Sequence, residues 1–205
     1  MAKAFYIAKS GRPGPVLIDI TKNAQFEEFD FSYSRCIGVR SYKPSPKPDM
    51  AKIESAAELI NNARKPYIVF GHGVILGKAE NQLRTLVEKA GIPAAWTILG
   101  LSAMDTDHPL NVGMVGMHGN YGPIVLTNEC DVLIAIGMRF DDRVTGNLDT
   151  YAKQAKVIHF EIDPAEIDKN VMADIAILGN AQESLDLLLP LIKENKHEKW
   201  HNEFK

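Results

Sequence analysis

Five short apolar runs, separated by amphipathic stretches, constrain this chain more than any other feature of its sequence. The clearest are Pro66-Tyr67-Ile68-Val69-Phe70-Gly71 and Asp131-Val132-Leu133-Ile134-Ala135-Ile136-Gly137. The others span 93–97, 156–162 and 175–179. A strand that is apolar on both faces needs cover on both faces, and helices connecting parallel strands supply it. The intervening stretches read as helices. Asp49 caps one that places Ile53, Ala56, Ala57 and Ile60 on a single face. Another, over 78–90, turns Leu83, Leu86 and Val87 inward. Further helices are read around 121–128, 164–170 and 181–193. The predicted fold is α/β, a parallel sheet covered by helices on both faces.

The ends read differently. Residues 2–10 suit the last turns of a helix stopped by Gly11. The turn cluster Arg12-Pro13-Gly14-Pro15 and a short strand at 16–20 follow, and together they read as the tail of a preceding domain. Residues 22–50 read as a linker. They carry the acidic, aromatic run Phe26-Glu27-Glu28-Phe29-Asp30-Phe31, then Pro44, Pro46 and Pro48 at alternate positions, which excludes a helix. The sheet domain occupies 51–192. The tail 193–205 alternates charge signs and reads as frayed or as the start of another linker.

Composition narrows the function. The 205 residues carry 23 Lys and Arg against 26 Asp and Glu, with no basic stretch, so nucleic acid is a poor partner. Cys36 and Cys130 lie in no metal or redox spacing, which fits a reducing cytoplasm. The first residues contain no apolar signal core. The longest stretch without a formal charge, 108–128, is broken by Gly, Asn, Pro and His and does not suit a membrane span.

In an open parallel sheet, ligands bind beyond the carboxyl ends of the strands. Four segments fall there. Gly71-His72-Gly73 follows a strand directly and bares its backbone to a ligand, although a plain strand-to-helix turn has the same sequence. In Gly113-Met114-Val115-Gly116-Met117-His118-Gly119-Asn120-Tyr121-Gly122, glycine recurs every third residue, and backbone N–H groups bared this way can cradle phosphate; a flexible loop competes with that reading. In Gly137-Met138-Arg139-Phe140-Asp141-Asp142-Arg143-Val144-Thr145-Gly146, two arginines straddle two aspartates. Guanidinium forks suit phosphate or carboxylate, and the aspartates suit orienting the forks or binding hydroxyls. In Phe160-Glu161-Ile162-Asp163-Pro164, Asp163 reads as a helix cap and Glu161 as a sugar contact. Gly179-Asn180 adds a polar position after the last strand. Together these segments favour a nucleotide-type cofactor over a bare scaffold. No nucleophile elbow, His-Glu-x-x-His, clustered metal ligands or P-loop is present, so no catalytic and no metal residue is assigned. His108, His159, His197 and His201 have no evident partners in the sequence.

Three of these motifs in order, Ser10-Gly11-Arg12-Pro13-Gly14-Pro15-Val16, Gly116-Met117-His118-Gly119 and Arg139-Phe140-Asp141-Asp142-Arg143-Val144-Thr145-Gly146, strongly resemble the acetolactate synthase (acetohydroxyacid synthase) catalytic subunit. The resemblance covers essentially the whole chain, as the end of the thiamine-diphosphate pyrimidine-binding domain followed by the central domain, and it implies an α/β, Rossmann-like (DHS-like NAD/FAD-binding) domain with a six-stranded parallel sheet flanked by helices. It implies condensation of two 2-keto acids, such as two pyruvates, into 2-acetolactate in branched-chain amino-acid synthesis. It implies thiamine diphosphate, Mg²⁺ and an FAD without net redox work. By position, FAD would meet Arg12, the backbone of Gly71, His72 and Gly73, and Thr97 and Ile98. Met117, His118 and Gly119 would line the flavin. Gly137, Arg139, Asp141, Arg143 and Val144 would hold the ribityl and phosphate portion, with Arg143 also bordering the substrate channel. Glu161 and Ile162 would meet adenosine, with Asn180 and Ala181 beyond. The resemblance further implies contact with other domains of the same subunit, a homo-oligomer and a regulatory subunit. Asn180 stands where the family usually has Asp. The family's thiamine-activating glutamate and Gly-Asp-Gly motif have no counterpart here, so this chain by itself is expected to be inactive. Two other readings remain, a NAD-binding oxidoreductase or deacylase domain and a structural central domain with an empty cofactor site.

Overall fold

The computed structural model describes residues 1–203. They divide into two compact units, Met1–Pro46 and Lys47 onward.

In the first unit, α1 (Ala2–Ala8) ends at Gly11, whose φ is +61°. Glycine is required there twice over. The conformation is left-handed, and a Cβ would sit 2.6 Å from the Tyr42 hydroxyl. That hydroxyl donates to the Ser10 carbonyl at 2.7 Å, and its ring meets Tyr6 edge-on. A short α2 (Lys22–Phe26) lies inside the stretch read as linker. The strand expected at 16–20 does not form. A strand exists only through its ladder, and the described residues of this unit pair only in an isolated bridge between Val39 and Tyr42. Leu17, Phe26, Phe29 and Phe31 are exposed.

The second unit opens with α3 (Met50–Asn62), capped as expected by Asp49, which accepts from the Ala51 N–H. Then follow β1 (Pro66–Phe70), α4 (His72–Leu76), α5 (Glu80–Ala90), β2 (Ala94–Trp96), a 3-10 turn at Ile98–Ala103 and β3 (Asn111–Met114). Next come α6 (Tyr121–Glu129), β4 (Val132–Ile136), α7 (Asp142–Thr145), β5 (Lys156–Glu161), β6 (Ile175–Leu178), α8 (Ala181–Leu188) and α9 (Glu198–Glu203). The six strands form one sheet in the order β3-β2-β1-β4-β5-β6, every pair parallel. This is the doubly wound order, whose topological switch lies between β1 and β4.

Alternation along each strand builds two cores. Ile68, Phe70, Ile134, Ile136, Ile158 and Phe160 pack against α3, α5 and α8. Tyr67, Val69, Leu133, Ala135 and Val157 share the other face with Leu126 of α6 and Trp200 of α9.

The structure corrects several readings. The sixth strand is β3, inside the stretch read as a glycine loop. It is half-exposed and contains Gly113 at φ +107°, so it lacks the apolar signature of the central strands. The helix read over 164–170 shrinks to a 3-10 turn at Pro164–Glu166, and that over 181–193 ends at Leu188 before a second 3-10 turn. The tail is not frayed over its described part; residues 204–205 lie outside the described residues. Trp200 is 1% exposed and donates from Nε1 to the Pro66 carbonyl at 3.1 Å. Lys65 lies over its ring, 4.9 Å from the centroid, and pairs with Glu203. His201 meets the Gly91 carbonyl at 2.9 Å. One buried aromatic thus anchors a segment whose other side chains are polar.

Candidate functional site

The loops after β1 and β4 flank the topological switch and are bound to each other. The Gly71 N–H donates to Ile136 O at 3.0 Å and the Gly73 N–H to Gly137 O at 2.8 Å. A Cβ on Gly73 would fall 2.6 Å from the Gly137 Cα, and one on Gly71 would fall 2.7 Å from the Gly137 oxygen. The glycines at 71 and 73 therefore have a packing role of their own. Their missing side chains admit the neighbouring loop, not only an open face for a ligand. His72 is exposed, and its Nδ1 lies 3.1 Å from the Leu99 carbonyl. This contact joins the 71–73 turn to the turn after β2, where the Thr97 N–H donates to Phe70 O and Ile98 is exposed.

The glycine loop after β3 is tight. The Asn120 N–H donates to Met114 O, Asn120 Oδ1 accepts from the Met114 N–H, and the Gly119 N–H donates to Gly116 O. Met117 and His118 are left exposed at its tip. The Met117 N–H donates to the Arg143 carbonyl at 2.8 Å, which ties this loop to the one after β4. The Arg143 guanidinium lies 3.8 Å from the Met117 sulfur.

Asp141 organises the arginine cluster with both carboxylate oxygens. Oδ1 caps α7 by accepting from the Arg143 N–H at 3.0 Å, and Oδ2 lies 3.0 Å from Arg139 Nε. Arg143 approaches Asp142 only at 3.8 Å, with both side chains largely in solvent. The expectation that an aspartate orients a fork holds for Asp141 and Arg139. A cavity of about 300 Å³ opens beside this cluster, lined by Met117, Ile124, Arg143, Val144 and Tyr151 among others. Burial raises the Tyr151 phenol above its ordinary range.

Glu161 is 8% exposed and turns back on its own chain, accepting from the N–H groups of Ile162 and Asp163. Asp163 caps the following turn through the Ala165 N–H, as read. Asn180 caps α8 by accepting from Gln182 and Glu183, with Ala181 buried behind it. An amide performs this capping as well as a carboxylate does. Of the sequence-selected positions, those from 71 to 181 lie at or just beyond the carboxyl ends of the strands of one sheet. Arg12 lies in the first unit, in the turn after α1.

Sequence reasoning missed two residues behind the 137–143 loop. His159, without an evident partner in the sequence, is fully buried with Nε2 2.8 Å from the Met138 carbonyl. Asn170 donates to the Phe140 carbonyl at 2.6 Å. Both contacts join elements distant in sequence, and no local pattern signals them. Among the described residues no group of His, Cys, Asp and Glu is placed to hold a metal ion, and no helix is long and apolar enough to cross a membrane.

A doubly wound parallel sheet with glycine-rich and arginine-bearing loops beyond its carboxyl edge defines a Rossmann-like α/β domain. Residues 53–188 match the family described as thiamine pyrophosphate enzyme, central domain, and the chain belongs to that family. Within it, the chain is similar to acetolactate synthases. It is 45% identical over 198 residues to the acetolactate synthase large subunit of Corynebacterium glutamicum, covering 97% of this chain and 32% of that protein. It is 46% identical over 193 residues to the acetolactate synthase of Mycobacterium leprae, covering 94% and 31%. It is 47% identical over 193 residues to the probable acetolactate synthase large subunit of Methanocaldococcus jannaschii, covering 92% and 33%. The chain thus spans about a third of the length of these curated relatives.

Proposed function

We propose that this chain is the flavin-binding central part of an acetolactate synthase, a thiamine-diphosphate-dependent carboligase that joins two 2-keto acids. FAD lies along the carboxyl edge of the sheet. Arg139 and Arg143 take its phosphate and ribityl portion with Gly137, Asp141 and Val144. The turns at Gly71, His72 and Gly73 and at Thr97 and Ile98 flank it. Met117, His118 and Gly119 meet the flavin ring, and Glu161, Ile162, Asn180 and Ala181 the adenosine end. The observation that carries this reading is that the 115–119 loop is bound to the loop after β4, which flanks the switch point, through the Met117 N–H and the Arg143 carbonyl. There the Arg139 fork is already set by Asp141 at 3.0 Å, and preset forks bind anions without reordering.

In this reading residues 1–21 end a pyrimidine-binding domain. Residues 22–50 are a linker, 51–192 the central domain, and 193–205 the start of the next linker. Thiamine diphosphate supplies the carbanion chemistry and is held, with Mg²⁺, by other domains of the same subunit. The parent assembles as a homo-oligomer with a regulatory subunit in the cytoplasm. Both cysteines are free thiols, which agrees with a reducing compartment.

A flavin-fluorescence titration of the chain tests the binding. Saturable quenching by FAD supports the reading, and its absence removes the claim for this chain. Detectable acetolactate from pyruvate, thiamine diphosphate and Mg²⁺ would refute the assignment of the thiamine site to other domains. A structural central domain with an empty cofactor site is the second reading. It is favoured by one observation, that the glycines at 71, 73 and 137 are needed for loop packing alone.

A further inference from the structure

Every backbone carbonyl from Ile136 to Phe140 accepts a hydrogen bond from within the protein. Three of the donors are backbone groups: Gly71 N–H to Ile136 O, Gly73 N–H to Gly137 O, and Asp141 N–H to Arg139 O, at 3.0, 2.8 and 3.0 Å. The other two are side chains from more distant parts of the chain. His159 Nε2, from β5, takes Met138 O at 2.8 Å, and Asn170 Nδ2 takes Phe140 O at 2.6 Å.

A carbonyl only accepts, so His159 carries its hydrogen on Nε2. Its Nδ1 is then a lone pair, buried and without a partner. The ring has no exposure and stands edge-on to Phe140, 4.9 Å between centroids. An apolar side chain would fill this space without an orphaned nitrogen. The ring's polar contribution here is its hold on Met138 O.

That hold bears on the site electrostatically. A carbonyl oxygen carries partial negative charge. Turned into the crevice, it would repel an anion and compete for the guanidinium groups of Arg139 and Arg143. We propose that His159 and Asn170 are positioning residues that keep the Met138 and Phe140 carbonyls turned away from the crevice, so that the 137–143 segment presents its arginines to the diphosphate of the bound dinucleotide. The inference rests on the flavin dinucleotide reading above, and neither residue touches the ligand.

Three variants test it. Asn170→Asp keeps the shape and sets a carboxylate against a carbonyl. His159→Phe keeps a ring and loses the donor. His159→Gln keeps a donor. FAD and riboflavin, which lacks phosphate, are titrated by flavin fluorescence, and amide hydrogen exchange is followed over 137–143. Asn170→Asp and His159→Phe are expected to weaken FAD about tenfold while moving riboflavin less than about twofold. Both should speed exchange over 137–143, and His159→Gln should restore both readouts. Equal weakening of FAD and riboflavin, or unchanged exchange in that segment, would overturn the proposal. If the unaltered chain binds no FAD, the flavin reading falls, and exchange then decides the positioning role alone. Acceleration confined to 137–143 upholds the hold on the carbonyls, and unchanged exchange rejects it. Asn170 is exposed, so Asn170→Asp remains informative if His159→Phe does not fold.

Discussion

Substituting Gly73 by Ala separates two reasons for a glycine. If residue 73 is glycine only to admit a ligand, one methyl group leaves the unliganded protein untouched. The structure says otherwise. The new Cβ would lie 2.6 Å from the Gly137 Cα and 2.8 Å from its oxygen, well inside the ~3.5–4.0 Å of a comfortable carbon contact. The obstructing atoms are backbone and cannot swing aside. They are pinned by Gly73 N–H to Gly137 O at 2.8 Å and Gly137 N–H to Phe160 O at 2.9 Å. Overpacking costs about 1–3 kcal/mol, and a backbone obstacle points to the upper end. Alanine regains up to about 1 kcal/mol of helix propensity in the first turn of α4. The net loss is about 2 kcal/mol, which in a chain of this size lowers the midpoint by about 4–8 °C. Thermal unfolding without flavin is the assay. A midpoint within about 1 °C of the parent would refute the packing reason and return residue 73 to the ligand.

Three further outcomes follow from the same structure. Trp200→Ala removes a buried indole and its bond to Pro66 O, a change that costs up to about 3–5 kcal/mol. Because the tail can also undock alone, the first sign should be proteolysis within 193–199, and resistance equal to the parent's would contradict the anchor. Arg139→Gln and Arg143→Gln should each weaken FAD roughly 10- to 100-fold with little change in melting, as loss of a charge-assisted bond predicts; titration checks it. Burial holds the His159 ring below the ordinary histidine value of 6.5 against the opposing pull of the Met138 carbonyl, Asp168 and Glu166. Burial and then the charge of His201 lower His197 likewise. The unfolded chain therefore binds more protons just below that value, so stability is full above about pH 6.5 and is lost as the pH falls through the window. Urea midpoints at about pH 7.5 and about pH 5.5 measure the loss, and His159→Gln with His197→Gln should flatten it.

What the sequence revealed, and what it hid, follows from the range of the interactions. β1 and β4 are legible because burial on both faces leaves uninterrupted apolar runs. The caps at Asp49, Asp163 and Asn180 act over two or three residues, and the first two are readable as caps for that reason. The Arg139–Asp141 pair is equally local. β3 is hidden because an edge strand is half-exposed and this one contains a glycine. α4 and α7 are too short to show a helical period. Residues 16–20 look like a strand, but a ladder needs a neighbour, which no local run can reveal. His159 and Asn170 reach carbonyls 21 and 30 residues away, beyond the range of any local pattern. Trp200 lies in a charged tail, and its partner Pro66 lies 134 residues away at the start of β1.

Hydrogen exchange of the chain with and without saturating FAD shows whether flavin seats along the carboxyl edge of the sheet. Exchange should slow at 71–73, 115–119, 137–146 and 180–181, with no slowing at the opposite edge around Trp200. Unchanged exchange in those loops, or protection at the Trp200 edge instead, would contradict that seating.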